Sequence, residues 1–77
     1  MLKRLERAYW RRRATAMDRV YVRLEDDGLT TARHLAAELN MNPDYVSELL
    51  EDLHLDAIVG RAGELYYVVH EEFVRVH

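Results

Sequence analysis

Three consecutive arginines, Arg11–Arg13, form the densest group of anion-binding side chains in the chain. A guanidinium group presents a rigid fork of N–H donors that matches the oxygens of a phosphate or a carboxylate. These arginines belong to a basic arm, residues 1–13, that carries a net charge of +5, whereas residues 14–77 carry −8. The arm therefore has the chemistry to contact nucleic acid, the acidic body of a second copy of the chain, or an acidic partner protein.

Aromatic and apolar residues accompany these charges in the arm. If the arm contacts nucleic acid, its arginines bind phosphates or reach into a minor groove, while Tyr9 or Trp10 packs or stacks. In the alternative, the arm is a solvated charged helix that buries Leu2, Leu5 and Tyr9 against a second subunit. The two interpretations are compatible, and the sequence favours neither.

A second set of polar side chains lies on the outward side of a predicted helix over residues 43–55. The set consists of Asn42, Asp44, Tyr45, Ser47, Glu48, Glu51 and Asp52. The amide and hydroxyl groups can donate to phosphates or base edges, and a carboxylate can accept from N4 of cytosine. Because four carboxylates also repel a polyanion, three interpretations stay open. They are base recognition, a solvated acidic face, and a surface that binds a basic protein.

Neither catalysis nor metal binding is predicted. The chain has no cysteine, and its histidines, His34, His54, His70 and His77, form no HxxxH or HExxH pair. It also has no Gly-rich phosphate loop, no nucleophile with a nearby base motif and no paired-carboxylate signature. A chain of 77 residues leaves little room for a sequestered pocket. We therefore expect no enzyme activity, no cofactor and no metal.

Two short helices joined by a tight turn must position the outward side chains. Their apolar positions are Leu35, Ala36, Leu39, Val46, Leu49, Leu50 and Leu53. Asn40 suits the left-handed residue that ends the first helix. Asn42 is predicted to cap the second helix, and Pro43 to occupy its first position. Met41 then packs on Val46 as a hydrophobic staple.

The segment before these helices predicts a further helix, whose apolar stripe is Met17, Val20, Tyr21 and Leu24. Thr15 begins a motif similar to a capping box, so one interpretation starts this helix near Ala16. We favour the other, a continuous or gently kinked helix from about residue 2 to residue 25, because no Pro or Gly interrupts it. Gly28 marks its end, and Thr30 or Thr31, after a short β-tolerant segment, caps the next helix.

A β-hairpin is predicted over residues 57–69. Ala57–Val59 and Leu65–Val69 are β-prone, and Gly60–Gly63 supplies the turn. Tyr66 and Tyr67 face opposite sides of their strand, so we expect one in the core and the other exposed.

The stretch 32–51, with the hairpin after it, resembles the helix-turn-helix of the small winged-helix transcription regulators of bacteria and archaea. The matching positions are Leu35, Ala36, Leu39, Asn40, Met41, Val46 and Leu49. The resemblance covers most of the chain. It implies a mainly α fold with three helices and a two- or three-stranded sheet, in which the hairpin is the wing.

The resemblance also implies that the chain is a small transcription regulator that binds double-stranded DNA, as a homodimer. The implied DNA-binding residues are Asn42, Asp44, Tyr45, Ser47 and Glu48 on the recognition helix, Arg61 on the wing, and Arg11, Arg12 and Arg13 on the arm. The alternative is a winged-helix protein-interaction module whose acidic recognition-helix face binds a basic partner.

Length and composition set the remaining bounds. The chain allows one small domain, and a hydrophobic fraction of 49% argues against disorder. We expect a basic arm or first part of a long helix over residues 1–14, a winged-helix domain over 15–70 and a tail over 71–77. The tail could extend a strand, form a short helix or make a dimer contact. The chain lacks an apolar run of membrane-span length and the apolar core of a signal peptide, so we expect a cytoplasmic protein with no membrane partner.

Overall fold

The computed structural model describes residues 2–69, with side chains from residue 6 onward. Its elements are α1 (Leu2–Asp27), β1 (Thr30–Thr31), α2 (Ala32–Leu39), α3 (Pro43–Leu55), β2 (Val59–Ala62) and β3 (Leu65–Val68). The strands form one antiparallel sheet in the order β1-β3-β2. The predicted fold class, mainly α with a small β-hairpin, is confirmed, and β1 is the third strand. The tail over 71–77 lies outside the described residues.

Helix α1 is continuous, which confirms the favoured of the two interpretations. Thr15 does not start a new helix, because its hydroxyl donates to the carbonyl oxygen of Arg11 at 3.0 Å, one turn earlier in the same helix. The helix is anchored by its second half, where Val20 and Leu24 are fully buried. It ends at Gly28, whose φ of +86° is the left-handed conformation that glycine adopts without strain.

The turn between α2 and α3 is closed by Asn40 as predicted. Asn40 is left-handed, with φ 55° and ψ 49°. Its backbone N–H donates to Ala37, and that of Met41 donates to the carbonyl of Ala36 at 2.9 Å. This pair of bonds satisfies carbonyl groups that the end of α2 would otherwise leave unpaired. Met41 packs against the core cluster that contains Val46, where a hydrophobic staple requires it.

Both helix starts are capped by the predicted side chains. The Thr31 hydroxyl accepts a hydrogen bond from the backbone N–H of His34 at 3.1 Å. The Asn42 side-chain oxygen accepts from the N–H groups of Asp44 at 2.8 Å and Tyr45 at 3.2 Å. These bonds fix where α2 and α3 begin, and therefore which side of α3 faces outward.

The hairpin differs from the prediction in the position of its turn. The prediction of a turn over Gly60–Gly63 is wrong, because Gly60 and the two residues after it lie in β2. Ala62 pairs with Leu65, so the turn is a two-residue loop between them. Gly63 opens this loop with φ +64°, the backbone that a tight hairpin turn needs. Gly60 pairs with Tyr67, whose ring covers the space where a Cβ would stand. Gly60 is therefore a packing glycine rather than a turn residue.

The core lies where the second half of α1, the two short helices and the hairpin meet. Its buried side chains are Val20, Leu24, Leu35, Ala36, Val46, Leu49, Leu50, Leu53, Val59, Tyr66 and Val68. As predicted, one tyrosine of β3 is buried and the other, Tyr67, is exposed. Among residues 6–69, the surfaces that the core leaves uncovered include the outer side of α3 and most of residues 6–15 on α1.

Candidate nucleic-acid interface

The outward side of α3 carries the predicted recognition residues. Asn42, Asp44 and Glu48 are exposed, while Tyr45 and Ser47 are half-buried. Because the Asn42 oxygen is engaged in capping, its amide N–H groups are what it offers to a ligand. Asp44 lies in the first turn, where its charge complements the positive end of the helix dipole. The structure thus leaves Asn42, Asp44 and Glu48 exposed on α3, while Tyr45 packs against the core and Ser47 lines a groove beside the helix.

Arg13, by contrast, does not point to solvent with its two neighbours. Its side chain is only 10% exposed and forms an ion pair with Asp52 on α3. A second carboxylate oxygen, on Glu48, lies 3.8 Å from Arg13 Nη1, which is close enough for charge attraction but too long for a hydrogen bond. Arg13 was grouped with the phosphate-binding arginines, but its burial against α3 leaves it holding α1 and α3 together.

Arg61 makes the equivalent contact from the other side of α3. Its guanidinium group forms an ion pair with Glu51, and both side chains remain partly exposed, at 45% and 41%. Three of the four carboxylates on α3 therefore have arginine partners supplied by α1 or by β2. The sequence could not reveal these pairs, because their members are 10 to 39 residues apart along the chain.

A groove of about 670 Å³ lies between the start of α2, the middle of α3 and the hairpin. Its charged and hydroxyl side chains include Arg33, Ser47, Glu51, Arg61 and Glu64. Sequence reasoning missed Arg33, the second residue of α2. The signal available was its position outside the Leu35, Ala36 and Leu39 face of that helix, which leaves it exposed beside α3.

Arg11 and Arg12 are both exposed on α1. They line a shallow cavity with Thr15, Ala16 and Arg19, not the groove beside α3. On the turn before them, the rings of Tyr9 and Trp10 meet edge to face at 5.2 Å, and the Trp10 side chain is 61% exposed. The arm therefore presents exposed guanidinium groups and an aromatic pair on a surface separate from α3.

One group of metal-ligand types converges within the part of the chain that the structure describes. The ligand atoms of Asp27, His34 and Glu38 lie within 4.8 Å of one another, at the junction of α1 and α2. The spacing of the histidines gave no sign of this group, because Asp27 comes from a different helix. Arg23 already supplies positive charge there, with Nη2 2.5 Å from Glu38 and Nε 3.4 Å from Asp27.

The charges of this junction interact strongly. The hydrogen bond from Arg23 lowers the pKa of Glu38, and the contact with Glu38, followed by burial, raises the pKa of Asp27. Two carboxylates and one guanidinium therefore share the site, with Glu38 carrying the charge and Asp27 more readily protonated.

Of the other histidines, His54 has Nδ1 2.9 Å from the carbonyl oxygen of Val59, which ties α3 to β2.

Comparison with known proteins assigns the chain to no family. No protein-family model matches it, and neither does any solved structure. A phosphatidylglycerol–prolipoprotein diacylglyceryl transferase from Prochlorococcus marinus is 41% identical over 44 residues. The match covers 57% of this chain but only 14% of the transferase, so it does not carry that protein's activity to this one. No helix within residues 2–69 is both long enough and apolar enough to span a bilayer.

Proposed function

We propose that this chain binds double-stranded DNA as a homodimeric transcription regulator. One observation carries the proposal: a capped helix, α3, stands with its outer side uncovered beside a groove that contains Arg33, Ser47 and Arg61. A helix exposed in this way can enter a major groove, which is about as wide as an α-helix. The resemblance to winged-helix regulators points the same way, and the three-helix and hairpin architecture supports it.

In this proposal α3 enters the major groove by its N-terminal half. Asn42, Tyr45 and Ser47 donate hydrogen bonds to phosphates or to base acceptors. Asp44 and Glu48 accept from the N4 amino group of cytosine, the base donor that carboxylates suit. The contact of Arg13 with Glu48 and the ion pair of Arg61 with Glu51 reduce the negative charge that α3 would otherwise bring to the phosphates.

The phosphate contacts come from four arginines, all of them outside α3. Three of them, Arg11, Arg12 and Arg33, are exposed. The fourth, Arg61, contacts a phosphate by exchanging its ion pair with Glu51 for one with the phosphate. That exchange costs little, because an exposed ion pair contributes only about 0–1 kcal/mol. Arg13 acts differently: it positions α3 from behind, through Asp52, and does not touch the DNA.

The second candidate function is a protein-interaction module whose α3 surface binds a basic partner. The exposed carboxylates of Asp44 and Glu48, with Glu64 at the edge of the groove, favour it. Such a surface would pair with lysine and arginine side chains in place of cytosine amino groups. This alternative needs no contribution from Arg11 or Arg12.

The first experiment measures binding of random-sequence duplexes at several salt concentrations. Each arginine that neutralises a phosphate adds roughly one to the slope of log affinity against log salt, so Arg11→Ala with Arg12→Ala is expected to lower the slope by about two. Arg23→Ala, which removes the same charge near the other end of α1, is the control, because Arg23 is already paired with Glu38. Removing the arm altogether would be a poor test, since it would also remove Arg13 and its contact with α3. Absence of duplex binding at low salt would contradict the proposal.

A second experiment separates the two candidate functions through Glu48→Gln. If Glu48 reads cytosine, duplexes selected from a random pool by the unchanged chain lose affinity for the variant, while affinity for random duplexes rises. If Glu48 binds a basic protein, a polylysine or polyarginine peptide binds the variant more weakly. In that case Glu48 does not contribute to sequence preference, so the variant and the unchanged chain prefer the same duplexes in the selected pool.

A further inference from the structure

The side of α1 that faces away from the core has an ordered sequence of charges. We call it the outer stripe, and its members are Arg7, Arg11, Thr15, Asp18, Val22 and Glu25. Their spacings of three and four residues keep them on one side of the helix, opposite Val20 and Leu24. All six side chains are exposed.

The outer stripe is basic in its first half and acidic in its second. Arg7 and Arg11 lie before Thr15, and Asp18 and Glu25 lie after it. Among residues 6–69, none of these four charged side chains forms an ion pair within its own chain. The charges are therefore available to a surface with the opposite order of signs.

The acidic half of the outer stripe borders a hollow of about 570 Å³ between α1 and the end of α2. Val22 and Leu39 form its apolar part, and its charged lining is Asp18, Arg19, Arg23, Glu25 and Asp26. Arg23 is already paired with Asp27 and Glu38, and Arg19 donates to the carbonyl oxygen of Leu39. Val22 is 54% exposed although it lies in the middle of a helix. Three carboxylates against two arginines make the surface negative overall, and with its apolar centre it fits a helix that brings arginines and small side chains to it.

We propose that the outer stripe pairs in antiparallel orientation with the outer stripe of a second copy, about a two-fold axis near Thr15. In this arrangement residue numbers that face each other add up to about 30. Arg11 then lies one residue along the axis from Asp18 of the second copy, and Arg7 lies two residues from Glu25, offsets of about 1.5 and 3 Å. Ala8 faces Val22 of the second copy, which covers the apolar part of the hollow.

The order of charges selects both the orientation and the occupant. A parallel pair would place Arg11 against Arg11 and Asp18 against Asp18, which is repulsive. A nucleic acid would be repelled by the acidic half, and a uniformly basic protein by the basic half. The outer stripe itself is the surface that satisfies both halves at once, because a two-fold contact makes every pair occur twice.

This pairing leaves α3 and the groove beside it uncovered, while Arg11 faces Asp18 of the second copy and reaches a phosphate only by exchanging that exposed pair, as Arg61 does with Glu51. Arg13 contacts α3 from the core side of α1, and the outer stripe lies on the opposite side of that helix. The inference specifies the homodimer of the proposed function but does not depend on DNA binding, since every measurement below is made without DNA.

The first test is a charge exchange followed by measurement of the dimer dissociation constant at low salt. Arg11→Glu alone and Asp18→Arg alone each create two like-charge contacts, and we expect each to raise the constant on the order of tenfold. The double variant restores opposite charges in reversed order, so it should return to within about threefold of the unchanged chain. Arg12→Glu makes the same charge change about 100° around the helix, and should have a much smaller effect than Arg11→Glu.

The second test uses cysteine cross-linking, which is clean because the chain contains no cysteine. Under mild oxidation, Thr15→Cys is expected to cross-link to itself, since it lies near the axis. Ala8→Cys and Val22→Cys should each remain uncross-linked alone and should cross-link when mixed. Glu64→Cys, in the hairpin loop, is the control and should not cross-link. Circular dichroism confirms that each variant keeps its helices.

Three results would overturn the inference. The first is a chain that stays monomeric at every concentration that can be measured. The second is a double variant whose dimer dissociation constant is as high as those of the two single variants. The third is self-cross-linking of Ala8→Cys without cross-linking to Val22→Cys, which indicates parallel helices. A monomer that still binds duplexes would refute the antiparallel pairing and leave DNA binding intact, so the two proposals fail separately.

Discussion

Two arginines contact the acidic side of α3 from opposite ends of the chain, and they do so in different surroundings. Arg13 approaches from α1 and is 10% exposed, whereas Arg61 approaches from β2 and is 45% exposed. Arg13 lies against two carboxylates of α3, Asp52 and Glu48, and Arg61 against one, Glu51. Burial is what separates them, because water screens the contact of Arg61 much more than that of Arg13.

The difference assigns the two arginines to different tasks. Breaking the contact of Arg13 leaves a buried group without its partner, so this arginine is part of the structure. Arg61 can exchange Glu51 for another anion at little cost, so it remains available to a ligand. Four variants test this division, and they are ordered by the size of the effect that we expect.

Arg13→Ala has the largest expected effect. It removes a buried guanidinium group, together with the packing of its aliphatic part between α1 and α3, and should lower the free energy of unfolding by about 2 kcal/mol. The estimate stays below the value for a fully buried pair because Asp52 is 42% exposed and can be hydrated. Urea denaturation measures the loss, with Arg12→Ala as the exposed control. A loss equal to that of the control would mean that burial does not distinguish Arg13.

Arg61→Ala is expected to act on binding instead of stability. Duplex affinity should fall by roughly tenfold at low salt, and the salt slope should fall by about one, because one phosphate contact is lost. The free energy of unfolding should change by no more than about 0.5 kcal/mol, since the pair with Glu51 is exposed. Salt titrations and denaturation of the same sample give both numbers. A loss of stability without loss of affinity would reverse the roles assigned here.

Asp52→Asn should cost about 1 kcal/mol of folding free energy, less than the loss of Arg13 itself. The amide oxygen can still accept a hydrogen bond from Arg13, and Glu48 remains near the guanidinium group. In the Arg13→Ala background the same change should cost much less, and thermal denaturation of all four combinations measures the coupling. Equal costs in both backgrounds would show that the two side chains do not interact.

Glu51→Gln has the smallest expected effect, an increase of about threefold in duplex affinity at low salt, because it releases Arg61 and removes a negative charge from the groove. The release applies only while Arg61 is present. We therefore expect a smaller increase in duplex affinity in the Arg61→Ala background. Fluorescence anisotropy of a labelled duplex measures both increases. A decrease in affinity would indicate that Glu51 itself contacts the DNA.

Local chemistry made much of this fold predictable from the sequence. Asn40, Asn42 and Thr31 cap helices through contacts with residues two to four positions away, and each was identified from its type and neighbours. The continuity of α1 followed from the absence of Pro and Gly. Contacts of this kind depend little on the rest of the molecule, so a short window of sequence is sufficient.

The hairpin shows where a local pattern misleads. Gly60 and Gly63 were equivalent candidates for the turn, and the sequence placed both in it. The structure distinguishes them, because Gly63 needs a positive φ and Gly60 needs space for the Tyr67 ring. That space is created by pairing across the strands, which no window shorter than the hairpin contains.

The candidate site was predictable in its outward residues but not in its ion pairs. The side of α3 that faces outward followed from helical periodicity. The contacts of Arg13 with Asp52 and of Asp27 with Glu38 join separate helices, and so depend on how those helices pack. Sequence reasoning therefore found four unpaired carboxylates on α3 where the structure has three with arginine partners.

The unbroken course of α1 links its exposed basic end to the orientation of α3. Arg12 and Arg13 are consecutive residues of one rigid rod, separated by about 1.5 Å along its axis and 100° around it. A ligand that displaces Arg11 and Arg12 therefore also displaces Arg13, which contacts α3 through Asp52. The basic end of α1 is thus mechanically coupled to the position of α3.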